Sequence, residues 1–175
     1  MRLKKLSLLI GMLLLVQLAF TQDYWLQKDT VKGPPKSAAC AFVLENKGFA
    51  LTGMDEFEYK RKMYSYRADQ NDWDDELSLG GDGGAGLERV GAVGFSLTHD
   101  GQQKGYVALG QTPTIAYMND LWEYNPATQA WSQKANFTGA PRREAVGFVV
   151  GQVAYVGTGS ALSGLQNDFY AYDPT

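Results

Sequence analysis

The stretch GYVALGQTPTIAYMNDLWEYNPATQAW, residues 105–131, contains the signals that decide the fold. Its first run, residues 105–110, is aromatic and β-branched and ends on glycine, and residues 121–124 alternate around aromatic side chains. Because Pro126 cannot donate to a strand ladder, a turn is expected there and a new strand at Trp131. The stretch therefore predicts three consecutive β-strands.

The same pattern returns before and after this stretch at a spacing of about fifty residues. Phe42, Phe95 and Phe148 are each separated by 53 residues, and residues 25–42 align with residues 131–148 without a gap. The residues shared by that alignment are Trp25/Trp131, Gln27/Gln133, Lys28/Lys134, Gly33/Gly139, Pro35/Pro141, Ala39/Ala145 and Phe42/Phe148. A fixed spacing of this size predicts a repeated unit that stacks on its neighbours.

Each repeat is expected to be a sheet of four short strands. We place the units at about residues 36–73, 89–131 and 142–175, and the last unit ends before its fourth strand. Residues 24–28 match the strand that opens at Trp131, so we expect them to form a closing fourth strand for the last unit. Three units are not expected to close a ring, so further units of a longer chain, or other copies of this chain, are expected to complete it.

This arrangement resembles kelch repeats, which form the four-stranded blades of a β-propeller. The resemblance rests on an arginine that opens the first strand, a glycine that closes the second, a tyrosine in the third and a tryptophan in the fourth. The residues at these marker positions are Arg89, Arg142, Gly53, Gly110, Gly159, Tyr66, Tyr124, Tyr172, Trp25, Trp73 and Trp131. Over residues 24–175 the resemblance implies an all-β fold, a partial kelch-type β-propeller of about three blades. Lys36 replaces the arginine in the first unit, and one glycine stands where kelch units carry a pair.

The amino-terminal residues have a different pattern, typical of export. A basic start precedes an apolar run over residues 6–20 that is short for a bilayer span, and Ala19 and Thr21 are small residues before Gln22. We therefore expect residues 1–21 to be a signal peptide and the protein to be secreted or held in the cell envelope. An uncleaved amino-terminal anchor is the alternative.

Charge and cysteine content narrow the classes of partner. Residues 22–175 carry 13 basic and 19 acidic residues, a formal net charge of −6, so nucleic acid is not an expected partner. No stable membrane span is expected after cleavage.

Cys40 is the only cysteine and aligns with Val93 and Val146, so we expect a small buried apolar residue and no intrachain disulfide.

Two insertions lengthen the second unit, at about residues 74–87 and 98–104, and both are expected to be loops. Residues 81–86 fit the pattern G-x-G-x-x-G, but a strand and not a helix is expected to follow, so no dinucleotide cofactor is expected. The acidic cluster around the first insertion fits no calcium loop, and a solvated loop is favoured over a calcium site. Its members are Asp69, Asp72, Asp74, Asp75, Glu76 and Asp82.

Five residues are candidates for ligand binding. Lys36, Arg89 and Arg142 open the first strand of each unit, a strand that is innermost in the kelch family, so the resemblance implies three cations able to hold a carboxylate or an acidic sugar. The alternative is that each pairs with an acidic residue of an adjacent unit. His99 and Asp100 lie in the second insertion. The aromatic residues are expected first as core and second as sugar-stacking surfaces.

The kelch resemblance implies a binding or interaction module whose loops, above all the inserted ones, recognise a protein or a glycan. One alternative is a sugar-active enzyme similar to the kelch-fold sialic-acid mutarotases or to galactose oxidase, with most catalytic residues in further blades. Another is a purely structural protein of the cell envelope. No catalytic residue, cofactor or metal ligand is singled out within this chain. Because His99 is its only histidine, neither an imidazole-based zinc or copper centre nor a histidine triad is expected.

We expect the exported protein to begin at Gln22, because signal peptidase requires small residues at the two positions that Ala19 and Thr21 occupy. Mass spectrometry of the amino-terminal peptide checks this. Thr21→Arg should block the cut and leave residues 1–21 attached. Retention of those residues in the unaltered protein would contradict the prediction.

Overall fold

A computed structural model describes residues 23–84 and 87–175, so the signal-peptide prediction for residues 1–21 lies outside the described residues. Within the described ranges the fold is all-β, with one short 3-10 turn at Gly81–Gly83 and no α-helix. The strands, in chain order, are β1 (Cys40–Leu44), β2 (Lys47–Leu51), β3 (Met63–Arg67), β4 (Asp72–Glu76), β5 (Val93–His99), β6 (Gln102–Ala108), β7 (Leu121–Asn125), β8 (Ala130–Gln133), β9 (Arg142–Arg143), β10 (Val146–Val150), β11 (Val153–Gly157), β12 (Ser160–Ala161), β13 (Gly164–Leu165) and β14 (Phe169–Tyr172).

These strands make three large antiparallel sheets and one small one. The first sheet has the order β1-β2-β3-β4, the second β5-β6-β7-β8 and the third β10-β11-β14, while β13-β12-β9 form the small sheet. The alternation in β1 shows why the strands form: Cys40, Phe42 and Leu44 are buried and Ala41 and Val43 are exposed. Such a period-two pattern buries one face of a strand.

The repeat in the sequence is a repeat in strand register. Phe42 pairs with Phe49 across β1 and β2, and Phe95 pairs with Tyr106 across β5 and β6. Phe148 has the same position in the third sheet, where it pairs with Tyr155 across β10 and β11. In each sheet the paired rings stack, with centroids 5.2 Å, 5.2 Å and 5.6 Å apart.

The three large sheets pack face to face in chain order, and equivalent backbone hydrogen bonds join each pair. Gly53 donates its N–H to the Arg89 carbonyl at 2.8 Å, and Gly110 donates to the Arg142 carbonyl at 2.9 Å. A second set runs from Gly91 to Ala38 at 3.2 Å and from Glu144 to Gly91 at 2.8 Å. The second sheet is therefore placed on the first as the third is placed on the second. The described residues form an open row of sheets and not a closed ring.

An aromatic residue from the following sheet covers each stacked pair in the two interfaces. Tyr124 lies 5.9 Å from Phe49 between the first and second sheets, and Tyr172 lies 5.8 Å from Tyr106 between the second and third. The rings of Phe42, Phe49, Phe95, Tyr106 and Tyr124 are all at most 5% exposed. The aromatic markers Tyr124 and Tyr172 thus contribute to the core, as predicted.

The glycine that ends each second strand is required by the close approach of the next turn. Gly53, Gly110 and Gly159 have φ angles of +91°, +100° and +87°. A Cβ on Gly110 would lie 2.8 Å from the Val90 carbonyl oxygen. Both the backbone conformation and the space therefore exclude other residues.

The innermost strands also come very close to one another. A Cβ on Gly94 in β5 would lie 2.3 Å from the Ala41 carbonyl oxygen in β1. A Cβ on Gly147 in β10 would lie 2.3 Å from Val93 Cγ1 in β5. Glycine at these equivalent positions lets the inner strands make van der Waals contact.

In the described chain residues 24–28 form no strand, and Trp25 is fully exposed, so their role as a closing fourth strand stays a prediction. One prediction about the insertions is wrong: residues 74–76, expected to begin the first inserted loop, belong to β4 (Asp72–Glu76), which pairs with β3. The segment after β4 is packed: Leu79 is fully buried, and its carbonyl oxygen accepts a hydrogen bond from Arg61 Nη1 at 3.0 Å.

Gly110→Ala should destabilise the protein by more than about 1 kcal/mol, because the added Cβ meets a backbone oxygen at a positive φ. Gly48→Ala is the matched control, since its Cβ would meet nothing within 4 Å and its φ is not positive. Urea unfolding of both variants measures the difference. Equal midpoints would show that the Gly110 turn does not constrain the fold.

Candidate binding cleft

A polar cleft of about 460 Å³ opens between the first and second sheets, at the ends that carry the tight hairpins. The β1–β2 hairpin forms one wall, and the β5–β6 and β7–β8 hairpins form the other. The polar side chains of the lining include Glu45, Lys47, Glu76, Gln103, Tyr124 and Asn125. Clefts between packed elements are the usual place for ligands.

The length of the β5–β6 hairpin shapes the cleft. β5 and β6 each have seven residues, whereas β1 and β2 each have five, so the second hairpin reaches further. Asp100 and Gly101 make its turn with φ angles of +52° and +71°. Behind the turn, the Gln103 side-chain oxygen accepts a hydrogen bond from the Glu45 backbone N–H. The predicted second insertion therefore does form part of a recess.

The inner end of the cleft carries a carboxylate. Glu76 accepts hydrogen bonds from Ser65 Oγ at 2.7 Å and from the Tyr124 hydroxyl at 3.5 Å. Burial, together with the charge and hydrogen bond of Glu76, raises the pKa of Tyr124 to about 12, so the hydroxyl stays a donor at neutral pH. In the described chain no basic side chain pairs with Glu76.

The equivalent interface between the second and third sheets is filled differently. Glu123 is 4% exposed and accepts hydrogen bonds from the Tyr106 hydroxyl at 2.7 Å and from Lys104 Nζ at 3.3 Å. Lys134 Nζ lies 3.2 Å from the same carboxylate. Burial alone would raise the pKa of Glu123, but these hydrogen bonds and charges outweigh it and hold the pKa below its usual range. Glu76 occupies the repeat position of Lys134, so the first interface has a carboxylate where the second has its lysine.

Arg89 and Arg142 are placed inside the fold and not at a ligand-facing surface. Both side chains are fully buried. Arg89 donates to both carboxylate oxygens of Asp120, at 2.7 Å and 2.8 Å, and to the Leu109 carbonyl at 3.1 Å. Arg142 makes the same bidentate pair with Asp168. This geometry favours the predicted alternative of acidic pairing, although the partner belongs to the same repeat and not to an adjacent one.

Lys36 has no such carboxylate partner at its repeat position. Its Nζ lies 4.7 Å from the centre of the Tyr64 ring and 3.3 Å from the Lys32 carbonyl oxygen. Burial and the neighbouring charge of Lys60 lower the pKa of Lys36. The structure therefore does not gather the three predicted cations around one ligand position.

His99 and Asp100 contact each other, with His99 Nε2 3.1 Å from Asp100 Oδ2. His99 follows Leu97 at a spacing of two, so its side chain shares the face that turns to the third sheet. The binding cleft lies on the other face of the second sheet. The hairpin predicted to recognise a ligand thus supplies Gln103 to the cleft, and neither His99 nor Asp100 lines it.

Sequence reasoning missed Glu76 and Gln103 as cleft residues. The acidic pattern predicts Glu76 in a solvated loop, yet Glu76 aligns with Lys134, so the charge at this repeat position is reversed. Three other members of that acidic cluster pair with basic residues: Arg67 lies 2.7 Å from Asp72 and 3.1 Å from Asp74, and Lys62 lies 3.0 Å from Asp75. Among the described residues no group of three or more His, Cys, Asp or Glu side chains is arranged to hold a metal ion.

Cys40 is buried, as predicted from its alignment with two valines. Burial raises the pKa of its thiol to about 11, and the Thr52 hydroxyl contacts the sulfur at 3.6 Å. A thiol in this state is not a nucleophile at neutral pH.

No protein-family model matches the chain, and no curated protein matches it. No helix in residues 23–84 or 87–175 has the length and apolar character needed to cross a membrane. The fold and the cleft are therefore inferred from the residues and contacts of this chain itself.

Asp120→Ala should destabilise the protein by about 3–5 kcal/mol, because it leaves the Arg89 guanidinium buried without its counter-charge. Asp168→Ala removes the equivalent partner of Arg142, but the Asp168 side chain is 38% exposed against 10% for Asp120, so its loss should cost less. Calorimetry of the two variants measures the order. The reverse order would show that burial of the aspartate does not set the cost.

Proposed function

We propose that the described residues form an arc of a kelch-type β-propeller. The support is the fixed relation between successive sheets: the same glycine-to-arginine backbone bond joins first to second and second to third. Face-to-face packing of four-stranded antiparallel sheets in chain order is the arrangement of propeller blades. The pattern of residues 1–21 supports export of this arc to the secreted or cell-envelope compartment.

We further propose that the arc is a binding module and that its ligand, a neutral or amino-bearing glycan, lies in the cleft between the first and second blades. The observation that carries this is Glu76, a carboxylate at the inner end of a cavity of about 460 Å³, with no basic partner in the described chain. Around it stand the hydrogen-bonding groups of Gln103 and Asn125. Carboxylate and amide groups on rigid strands are suited to bind hydroxyl and ammonium groups.

The electrostatics favour this class of glycan over an acidic one. The buried guanidinium groups of Arg89 and Arg142 are already occupied by Asp120 and Asp168. Glu45 and Glu76 at the cleft outnumber Lys47. An acidic sugar would therefore meet like charge in the cleft, and its binding would be opposed.

A glycan array probed with the purified protein tests the proposal. Glu76→Gln and Gln103→Ala should each weaken binding to any glycan that scores by about tenfold or more, since each removes a hydrogen-bonding partner of the ligand. His99→Ala is the matched control, because it alters the same hairpin outside the cleft and should leave binding unchanged. Undiminished binding by both cleft variants, or no glycan bound at all, would overturn the proposal.

A further inference from the structure

A second groove, of about 750 Å³, opens between the second and third units. Its walls are the β6–β7 loop, the segment before β9 and the β12–β13 hairpin. Because successive loops of an antiparallel sheet alternate between its two ends, this groove lies at the opposite end of the sheets from the binding cleft. The described residues that line it carry no charge, and most are apolar: Ile115, Ala116, Tyr117, Ala140, Pro141 and Leu162.

The equivalent groove between the first and second units has a different character. Its lining includes the charged residues Glu58, Lys60, Arg61, Lys62 and Glu88. These charges are paired within the chain, for example Arg61 with Glu88 at 3.5 Å and Lys60 with Glu58. Pro141 occupies the repeat position of Glu88. The apolar lining is therefore a departure from the repeat and not a requirement of it.

Both walls of the apolar groove belong to residues that the structure describes. In the equivalent groove the lining comes from the first two units and the segment that joins them, although a third unit follows. By the same relation, the apolar groove is formed by the second and third units and the segment that joins them. Its construction does not depend on any residue beyond these units.

An arginine without a counter-charge lies beside this groove. Arg143 donates through Nη1 to the Gln111 side-chain oxygen, and its Cζ lies 5.8 Å from the centre of the Tyr117 ring, which lines the groove. These contacts turn the side chain toward the second unit. Its Nε is buried without a hydrogen-bond partner, and no carboxylate of the described chain lies within 4 Å of the guanidinium. A carboxylate would supply both the missing charge and the missing acceptors.

Arg143 differs from the preceding arginine in what holds it. Arg142 is fully buried and makes a bidentate pair with Asp168, in the manner of the preceding unit. Arg143 is only partly buried, and its repeat position holds Val90 in the second unit and Ser37 in the first. The packing of one sheet on the next therefore does not require a charge at this position.

We propose that this groove binds a small molecule with an apolar body and one carboxylate. The apolar body lies against Ile115 and Leu162, and the carboxylate lies beside Tyr117, where Arg143 provides the opposite charge. Sites for small molecules are typically about 300–1,000 Å³ and mostly apolar with a few polar groups, as this groove is. A stable protein interface uses about 20–30 residues a side, which is more than the groove provides.

The polar groups at the groove also favour a carboxylate. The Ser163 hydroxyl lines the groove and accepts a hydrogen bond from Gln166 Nε2 at 3.0 Å, so its own proton is available to a ligand oxygen. An amine on the same apolar body would instead meet the like charge of Arg143. A neutral alcohol would gain the apolar contact alone.

Isothermal titration calorimetry with octanoate, octanol and octylammonium tests the class of ligand, since these probes share one chain and differ in charge. Octanoate should bind about tenfold or more tightly than octanol, because it adds a charge-assisted hydrogen bond. Octylammonium should bind most weakly. Equal affinities for octanoate and octanol, or no binding of octanoate, would overturn the proposal.

Two variants test the residues. Arg143→Gln should weaken octanoate binding by about tenfold or more and leave octanol binding unchanged, a difference that a merely structural role would not produce. Leu162→Ser should weaken both probes by about fivefold, because it removes apolar contact area. Leu162 is 91% exposed, so its replacement does not disturb the core. Equal losses for both probes in Arg143→Gln, or undiminished binding by Leu162→Ser, would contradict the proposal.

Two controls separate this groove from other surfaces. Leu165→Ser alters an exposed leucine of the same hairpin that does not line the groove, and binding of both probes should be unchanged. Glu76→Gln alters the cleft at the other end of the sheets and should also leave octanoate binding unchanged. Loss of octanoate binding in either control would place the ligand elsewhere and overturn the proposal.

Discussion

The arrangement depends on one backbone hydrogen bond, from the glycine that ends the second strand of a sheet to the carbonyl of the arginine that opens the next. Gly53 to Arg89 and Gly110 to Arg142 are the two examples. The glycine must adopt a positive φ to present its N–H, and it must lack a Cβ for the next turn to approach. The buried arginine is fixed in turn by an aspartate of its own unit. Backbone conformation and this ion pair together set how one sheet is placed on the next.

The two interfaces built on this constraint are not equivalent. The second is filled by Glu123 with its tyrosine and two lysines, so its polar groups are satisfied internally. The first replaces one of those lysines by Glu76 and opens a cleft. Changes at repeat positions, among them Ser65 for Glu123 and Glu76 for Lys134, thus separate a closed core from a candidate recognition site. The residues that repeat build the packed sheets, and the residues that differ between repeats line the cleft.

Much of the fold could be predicted from the sequence, because the interval of 53 residues fixes Phe42, Phe95 and Phe148 in one register. The strand at residues 24–28 could not, since a strand needs a neighbouring edge, and sequence likeness does not show whether that edge is present. Acidic pairing of Arg89 was expected, but with a residue of an adjacent unit and not with Asp120 of its own unit. The recurrence of Asn-Asp before an aromatic strand, at residues 119–120 and 167–168, was a usable signal for it. The cleft depends on side-chain contacts across sheets, which no local pattern encodes.

The tight approach of the inner strands has a consequence for how such a chain can change. With Gly94 against Ala41 and Gly147 against Val93, the centre tolerates almost no added volume. The hairpins are under no such restraint: β5–β6 has outgrown β1–β2, while the spacing of the sheets is preserved. Mutations that add volume are therefore tolerated at the hairpins and not between the inner strands. New specificities can arise there by lengthening a hairpin, with the packing of the inner strands left unchanged.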